Sequence, residues 1–348
     1  MPDGDPHVIW TLVIIAGATA IASAVFVGLV RTQLLRHEIL DRPNARSSHA
    51  TPTPRGAGLG VLAALIPAWV AIPFFAPPAS EGAAALWIIP AAALLLAAVS
   101  WIDDLASLGA LPRLGAQFAA ALAGAFVIDG LVFQGLLPGP LDPIVAAISW
   151  VWFVNLFNFM DGIDGISGVE ATAIGLGLVL IGLFGPSALD ASHGQALAIA
   201  AAALGFLVWN WPPAKIFLGD SGSVLLGYLL GWLLLSLAAA GNWQAAAILP
   251  LYYLSDATIT LFRRLLRGEK FWQAHRDHYY QAAIKRGLSH GRVSAAIAAL
   301  NLVLIALALA SILAGPASPW SWAALGTSAI LVMLLLRWFA GPDGTASH

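Results

Sequence analysis

The sequence predicts an all-α polytopic membrane protein: one helical bundle of about eleven transmembrane helices, with ten the nearest alternative. Three observations lead there. Of 348 residues, 59% are apolar and 10% charged, and the mean hydropathy is +0.84. Apolar runs of membrane-spanning length recur along the chain, and all 16 Lys and Arg fall in alternate connecting segments. The alternating stretches of about ten residues that mark outer-membrane strands are missing, so helices are expected rather than a barrel.

The first span is expected at 8–30. The preceding MPDGDPH lacks the basic flank of a secretory signal, and the apolar run is long enough to cross, so this helix is expected to stay uncleaved. Spans at 59–76 and 85–101 follow, the latter running into WIDDL (101–105). Shorter runs at 116–128 and 143–158 lead to NLFNFMDGIDG (155–165), where glycines open the backbone. The spans 167–185 and 195–211 stop before Pro212 and Pro213, which break helices. Within 221–240, Gly227 and Gly231 form a small-xxx-small face suited to close helix packing. The ninth span, 245–262, carries Asp256, which must face protein or water rather than lipid. Spans 293–314 and 320–338 complete the bundle.

The cations orient it. With the first loop cytoplasmic, the inside segments hold Arg31, Arg36, Arg42, Arg46, Arg55, Arg113, Lys215, Arg337 and every cation of the loop 263–292. The opposite loops, near 77–84, 129–142, 186–194, 241–244 and 315–319, hold none. This is the positive-inside asymmetry in extreme form, placing the N-terminus outside and the C-terminus inside. The formal net charge of −2 therefore hides a basic cytoplasmic face that attracts anionic lipid heads and phosphorylated substrates. Without cysteine, the chain has no disulfide, thiolate metal site or cysteine nucleophile.

Polar groups are costly beside hydrocarbon, so carboxylates gathered at one membrane face demand a purpose. Five clusters share the cytoplasmic side: DRPNARSSH (41–49), WIDDL, NLFNFMDGIDG, FLGDSG (217–222) and HRDHYYQ (275–281). Adjacent helical residues project about 100° apart, so Asp103 and Asp104 are expected to take different roles, one orienting a metal-bound phosphate and the other acting as base or nucleophile. The plain alternative is a polar helix end in which an Asp pairs with Arg113. Asn155, Asn158, Asp161 and Asp164 step by three, as neighbours on one helix surface do, and the glycines after them allow close approach of a phosphate or nucleotide. Asp220 stands ahead of the eighth span; it or Ser221 could cap that helix, but Mg²⁺ is held by one or two carboxylates plus phosphate oxygens, and Asp220 is the first choice of ligand. In the last loop, His278 beside Arg276 and the tyrosines suits a grip on pyrophosphate, whereas His275 and His290 read as solvated loop residues. Glu170 is a weaker candidate, and His193, in an outside loop, is expected to have no role.

In order and sidedness these pieces resemble the polyprenyl-phosphate N-acetylhexosamine-1-phosphate transferases. The pieces are D-x-P-N-x-R-x-x-H leading to PRGAG, DD, N-x-x-N-x-x-DGIDG, F-x-GD-x-GS and R-x-H, and the likeness spans about Asp41 to Arg292. The resemblance implies a single transferase domain over 1–348, with 263–292 as its basic substrate-binding loop, in the bacterial inner membrane with the site facing the cytoplasm. It implies transfer of a sugar 1-phosphate from a UDP-linked N-acetylated sugar to polyprenyl (undecaprenyl) phosphate, releasing UMP, with Mg²⁺ as cofactor and Mn²⁺ as its substitute. Membrane lipid surrounds the chain, no nucleic acid is involved, and a homodimer is compatible. Carried onto matching positions, Asp103, Asp104 and His278 are catalytic, and Asp220 is the metal ligand. Asn155, Asn158, Asp161, Asp164, Arg276, Arg46, His49 and Arg55 bind substrate. Two departures stand out. His278 is followed by Tyr279, Tyr280 and Gln281 where many relatives carry further histidines, which points away from the peptidoglycan branch and toward the O-antigen and surface-polysaccharide branch. Ser48 precedes His49 where relatives often have a basic residue, which weakens the first loop's binding role.

Two other classes compete. A proton-coupled transporter explains Asp256 but leaves unexplained why the other carboxylates sit at helix ends on one face rather than near the midplane. A CDP-alcohol phosphotransferase requires a compact D-x-x-D-G-x-x-A-R pattern that DGIDGISG does not meet.

Overall fold

The computed structural model describes residues 6–41, 51–76, 84–106, 108–186, 189–269 and 275–341. The chain is all-α, as expected. Its helices are α1 (Pro6–Arg36), α2 (Gly58–Ala71), α3 (Ala85–Ala106), α4 (Ala110–Ala125), α5 (Asp142–Phe159), α6 (Ile166–Phe184), α7 (Ala191–Asn210), α8 (Asp220–Ala239), α9 (Trp243–Ile248), α10 (Leu251–Leu266), α11 (Tyr279–Lys285), α12 (His290–Ala314) and α13 (Pro319–Ala340). Two short strands, β1 (Leu40–Asp41) and β2 (Thr53–Pro54), pair antiparallel beside α2.

Every expected span falls in helical structure, and among the described residues eight helices are long and apolar enough to cross a membrane: α1, α3, α5, α6, α7, α8, α12 and α13. The other three expected spans are modified. The run 59–76 becomes α2 followed by a 3-10 turn, Ile72–Phe74. α4 starts at Ala110, before its apolar run, and ends at Ala125. The expected ninth span is not one helix: it divides at Leu249–Pro250 into α9 and α10, because proline brings no N–H to the helical ladder and its ring crowds the preceding turn.

α8 is the axis of the bundle. Every residue from Ser221 to Leu234 is buried, so the helix is apolar all round, as a central helix should be. It packs on α5 and α3. The Gly227 and Gly231 face makes the α5 contact possible, as expected: a Cβ on Gly231 would lie 2.5 Å from the Trp150 ring, and one on Gly227 3.1 Å from Phe157. Trp150 stacks on Tyr228 at 4.5 Å and donates its indole N–H to the Tyr228 carbonyl at 2.9 Å, which satisfies the one polar atom of a buried tryptophan. α1 and α13 lie at the periphery, exposing Trp10, Ile14 and Ile21, and Trp320, Ile330 and Leu334, to the lipid.

At the end opposite the candidate site, two carboxylates fasten loops. Asp142 accepts from the backbone N–H groups of Val132 and Phe133 at 2.9 and 3.0 Å. Asp190 caps α7 by accepting from Ser192 and His193, whose ring reaches back to the Asp190 backbone N–H. His193 thus has a structural role that its loop position does not suggest.

Candidate active site

The helix ends that carry the polar motifs meet at one face of the bundle, and local backbone pairing explains how. Phe217 donates its N–H to Pro54 at 2.8 Å, while Gly56 and Ala57 donate to the Phe217 carbonyl and Gly58 to Leu218. These bonds lace the PRGAG segment to FLGD. The first turns of α2 and α8 then touch, since a Cβ on Gly58 would lie 2.2 Å from the Gly222 nitrogen. Gly219, at φ +76°, turns the chain into α8 through a conformation that side chains resist. Arg55 is delivered beside Asp220 in consequence.

Two arginines tie three carboxylates together. Arg55 pairs with Asp220 in a short contact and reaches Asp104 at 3.3 Å. Arg113 pairs with Asp103 at 2.6 Å and reaches the other oxygen of Asp220 at 3.7 Å. The adjacent aspartates therefore point apart, as helix geometry requires: Asp103 toward α4, Asp104 toward Arg55 and the start of α8. The pairing expected of a plain helix end is present for Asp103 alone. Asp104 Oδ2 is buried with no side-chain partner among the described residues, beside the backbone N–H groups of Asp220 and Ser221 that open α8. The capping alternative for α8 is not adopted, because Gly219 occupies the cap position and no side chain caps it.

The DGIDG segment divides its residues between two tasks. Regular spacing suggests one continuous helical face, but α5 ends at Phe159, so only Asn155 and Asn158 lie on the helix. Asn155 donates to Gln117 on α4 at 2.6 Å. Asp161, in the loop beyond, faces the cluster and interacts with Arg55, Asp220 and Asp104; burial, partly offset by the Ser167 hydroxyl and Arg55, raises its pKa to about 6. Asp164 points elsewhere: it accepts from the Ala214 N–H at 3.0 Å and pairs with His290 at 3.2 Å, while its carbonyl accepts from Ser294. Asp164 therefore ties together the loops ahead of α6, α8 and α12, and His290 is its partner rather than a solvated residue.

The C-terminal motif is built on Asp256. This fully buried carboxylate on α10 accepts from the N–H groups of Tyr279 and Tyr280 and from the Tyr252 hydroxyl, and it meets His278 Nδ1 at 3.2 Å. His278 lies in a column of rings, 4.9 Å from His275 and 5.6 Å from Tyr280. His275 is thus packed rather than solvated, and burial, together with the adjacent His278 ring and Arg264, lowers its pKa to about 4. Tyr280 donates to the Phe159 carbonyl at 3.1 Å, so the column ends against the DGIDG loop, and Arg276 lies near its hydroxyl. Arg46 and His49 lie outside the described residues. Glu170 is buried within the bundle, accepting from Asn301 at 2.8 Å, away from the cluster.

A groove of about 340 Å³ opens at the cluster between α3, α4, α5 and α10. Its polar end carries Asp220, Arg113, Asn155 and Asn158; its walls are apolar, with Leu96, Val99, Ile148, Val151 and Leu261 among them. Among the described residues, carboxylates outnumber guanidinium groups at the cluster: Asp103, Asp104, Asp161 and Asp220, with Asp41 also acting on Arg55, against Arg55 and Arg113, a balance that suits a divalent cation. Asp220 and Oδ2 of Asp104 are the groups that fit one. Among the described residues no three acidic or histidine side chains are grouped to hold a metal alone, so phosphate oxygens would have to complete its shell.

Arg113, the link between Asp103 and Asp220, and Asp256, the anchor of His278, are the site residues that sequence reasoning underrated. Their charges inside an apolar chain were the available signal.

The family description "Glycosyl transferase family 4" matches residues 86–238. A Streptomyces coelicolor protein named "Putative glycosyltransferase" is 30% identical over 333 residues, covering 92% of this chain and 75% of that protein. The decaprenyl-phosphate N-acetylglucosaminephosphotransferase of Mycobacterium leprae is 28% identical, covering 81% of this chain and 79% of its own length. The undecaprenyl-phosphate alpha-N-acetylglucosaminyl 1-phosphate transferase of Salmonella typhi is 25% identical, covering 84% and 79%. The chain belongs to glycosyl transferase family 4, among the polyprenyl-phosphate N-acetylhexosamine-1-phosphate transferases.

Proposed function

We propose that the protein transfers an N-acetylated sugar 1-phosphate from a UDP-sugar to polyprenyl phosphate at the cytoplasmic face of a bacterial inner membrane. The observation that carries this reading is the groove with one charged end and apolar walls. An isoprenoid phosphate has the matching form, an apolar tail with an anionic head, and Arg113 at the charged end suits the head. The names of the mycobacterial and Salmonella relatives support the same acceptor class and an N-acetylglucosamine phosphate donor.

An oxygen of the acceptor phosphate attacks the sugar-linked phosphorus of the UDP-sugar. A new P–O bond forms, the bond to the bridging oxygen breaks, and UMP leaves with that oxygen and its electron pair. The acceptor oxygen is already ionised, so the protein's main tasks are alignment and suppression of repulsion between anions. Arg55 and Arg113 serve the second task, and Asn158 and Asp161 border the donor. Asp104, whose Oδ2 has no side-chain partner among the described residues, is the better placed of the adjacent pair to orient the acceptor or take a proton. A Mg²⁺ ion, when bound at Asp220 and Asp104, would neutralise diphosphate charge. The lipid-linked sugar diphosphate product would initiate an O-antigen or other cell-envelope polysaccharide.

The transporter alternative loses its motivating feature, because Asp256 is enclosed by the donors of α10 and α11. The test is UMP release by purified protein supplied with Mg²⁺, a panel of UDP-sugars and polyprenyl phosphate. Release that requires the acceptor, and disappears in Asp220→Asn, is expected. Failure with every UDP-sugar, or release indifferent to acceptor, would refute the assignment.

A further inference from the structure

We propose that Asp256 is the positioning residue for His278, fixing the imidazole tautomer and its placement against the DGIDG loop. This rests on the transferase reading above and deepens it. Asp256 lies 22 residues before His278, on a different helix, yet the two side chains meet at 3.2 Å with 0% and 3% of their surfaces exposed. The carboxylate already accepts from the Tyr279 and Tyr280 N–H groups and from the Tyr252 hydroxyl, with Thr260 at 3.4 Å. Two backbone N–H groups, donors of fixed polarity, engage one oxygen each, so both oxygens act as acceptors. The group facing them at His278 Nδ1 must therefore donate, which places the proton on Nδ1 and leaves Nε2 as the acceptor nitrogen of the neutral ring.

The same carboxylate also sets where the ring sits. It holds the first two backbone amides of α11, and His278 is the residue immediately before that helix. Stacking between His275 and Tyr280 removes the remaining rotation of the ring, and Tyr280 is hydrogen-bonded to the end of α5 beside Asp161 and Gly162. Among the described residues no hydrogen bond engages Nε2. One buried carboxylate thus fixes both the tautomer and the position of the histidine relative to the loop that borders the donor. Partners that orient metal-ligating histidines are worth about 10–100-fold when removed, and an effect of the same order is expected for this imidazole.

The experiment is a double-mutant cycle in the UMP-release assay, using purified full-length protein: wild type, Asp256→Asn, His278→Ala and the double variant. Asparagine preserves the shape at position 256, but its amide cannot accept at both atoms, so either the His278 tautomer or a backbone bond must change. Asp256→Asn is expected to lower kcat about 30-fold or more while changing the KM for UDP-sugar less than threefold. In the His278→Ala background it should have under twofold further effect, because its influence passes through the imidazole. Tyr252→Phe, which removes one donor to Asp256 and leaves the carboxylate, is the packing control and should retain at least a third of the activity. A wild-type protein without acceptor-dependent UMP release sinks the transferase reading itself. With an active wild type, three results overturn this inference: full activity in Asp256→Asn, losses that multiply in the double variant, or a Tyr252→Phe defect equal to that of Asp256→Asn.

Discussion

Replacing Asp161 with asparagine should stabilise the protein at neutral pH and scarcely change it in acid. Burial raises the Asp161 pKa from the ordinary 3.8 to about 6, with Ser167 and Arg55 opposing the shift and the neighbouring carboxylates adding to it. The folded state therefore holds this proton more tightly than the unfolded chain does. Stability falls as pH rises from about 4 to about 6, then levels off. A shift of about two units corresponds to roughly 3 kcal/mol at the plateau, at 1.36 kcal/mol per unit. At pH 5 about half of that penalty is present, and below pH 4 almost none. The asparagine side chain keeps the shape and carries no charge, so the Asp161→Asn protein should gain up to about 3 kcal/mol over wild type at pH 8 and about 1.5 kcal/mol at pH 5. For a chain of this size that is a rise of several degrees in apparent melting temperature at pH 8 and roughly half as much at pH 5. The assay is thermal unfolding in detergent with a chelator present, because a bound divalent cation would stabilise the carboxylate independently. A pH-independent difference between the two proteins would refute the burial argument. So would an Asp161→Asn protein less stable than wild type at pH 8.

Three further outcomes are expected. Asp103→Asn and Asp104→Asn should each lower turnover at least tenfold but differ in UDP-sugar KM, since one carboxylate engages Arg113 and the other Arg55; equal, mild effects would return both to a helix-end role. Gly162→Ala should abolish activity, because its Cβ would fall 2.1 Å from the Tyr280 hydroxyl oxygen, and Tyr280→Phe should partly restore it by removing that oxygen; absence of any rescue would separate the defect from this contact. A topology reporter placed after Gly268 should read cytoplasmic and one after Gly241 external, and the reverse pattern would put the carboxylate cluster on the wrong side for nucleotide sugars.

What the sequence made legible follows from the range of the forces involved. Lipid imposes length and apolarity on each span locally, so the segments could be read one at a time, and the sidedness of the cations ordered them. The same alternation brought the polar motifs to one face, where Asp103, Asp104, Asp161 and Asp220 do gather. Pairing across the fold was not legible. Arg55 and Asp220 are 165 residues apart and meet only because Phe217 and Leu218 bond to the PRGAG backbone, a contact with no periodic trace. The direction of Asp164 was hidden for a different reason. A spacing of three implies one face only while the helix continues, and α5 stops at Phe159, leaving Asp161 and Asp164 free to turn in different directions.

These two kinds of placement divide the labour at the site. Helix-borne groups, Asp103, Asp104 and Asp220, stand on elements packed against the central α8, so their spacing is set by close-packed helices and changes little. Loop-borne groups, Asp161 and His278, owe their positions to buried polar contacts made outside a helical ladder, Ser167 beside one and Asp256 with its backbone amides behind the other. A substrate that must be admitted and released is better met by the second kind, because a loop held by a few contacts can shift without repacking the bundle. Substitutions in the helix-borne set should therefore act on turnover with the fold intact. Substitutions of the loop anchors should disturb turnover through position, which is why the Asp256 cycle, read through His278, distinguishes placement from chemistry.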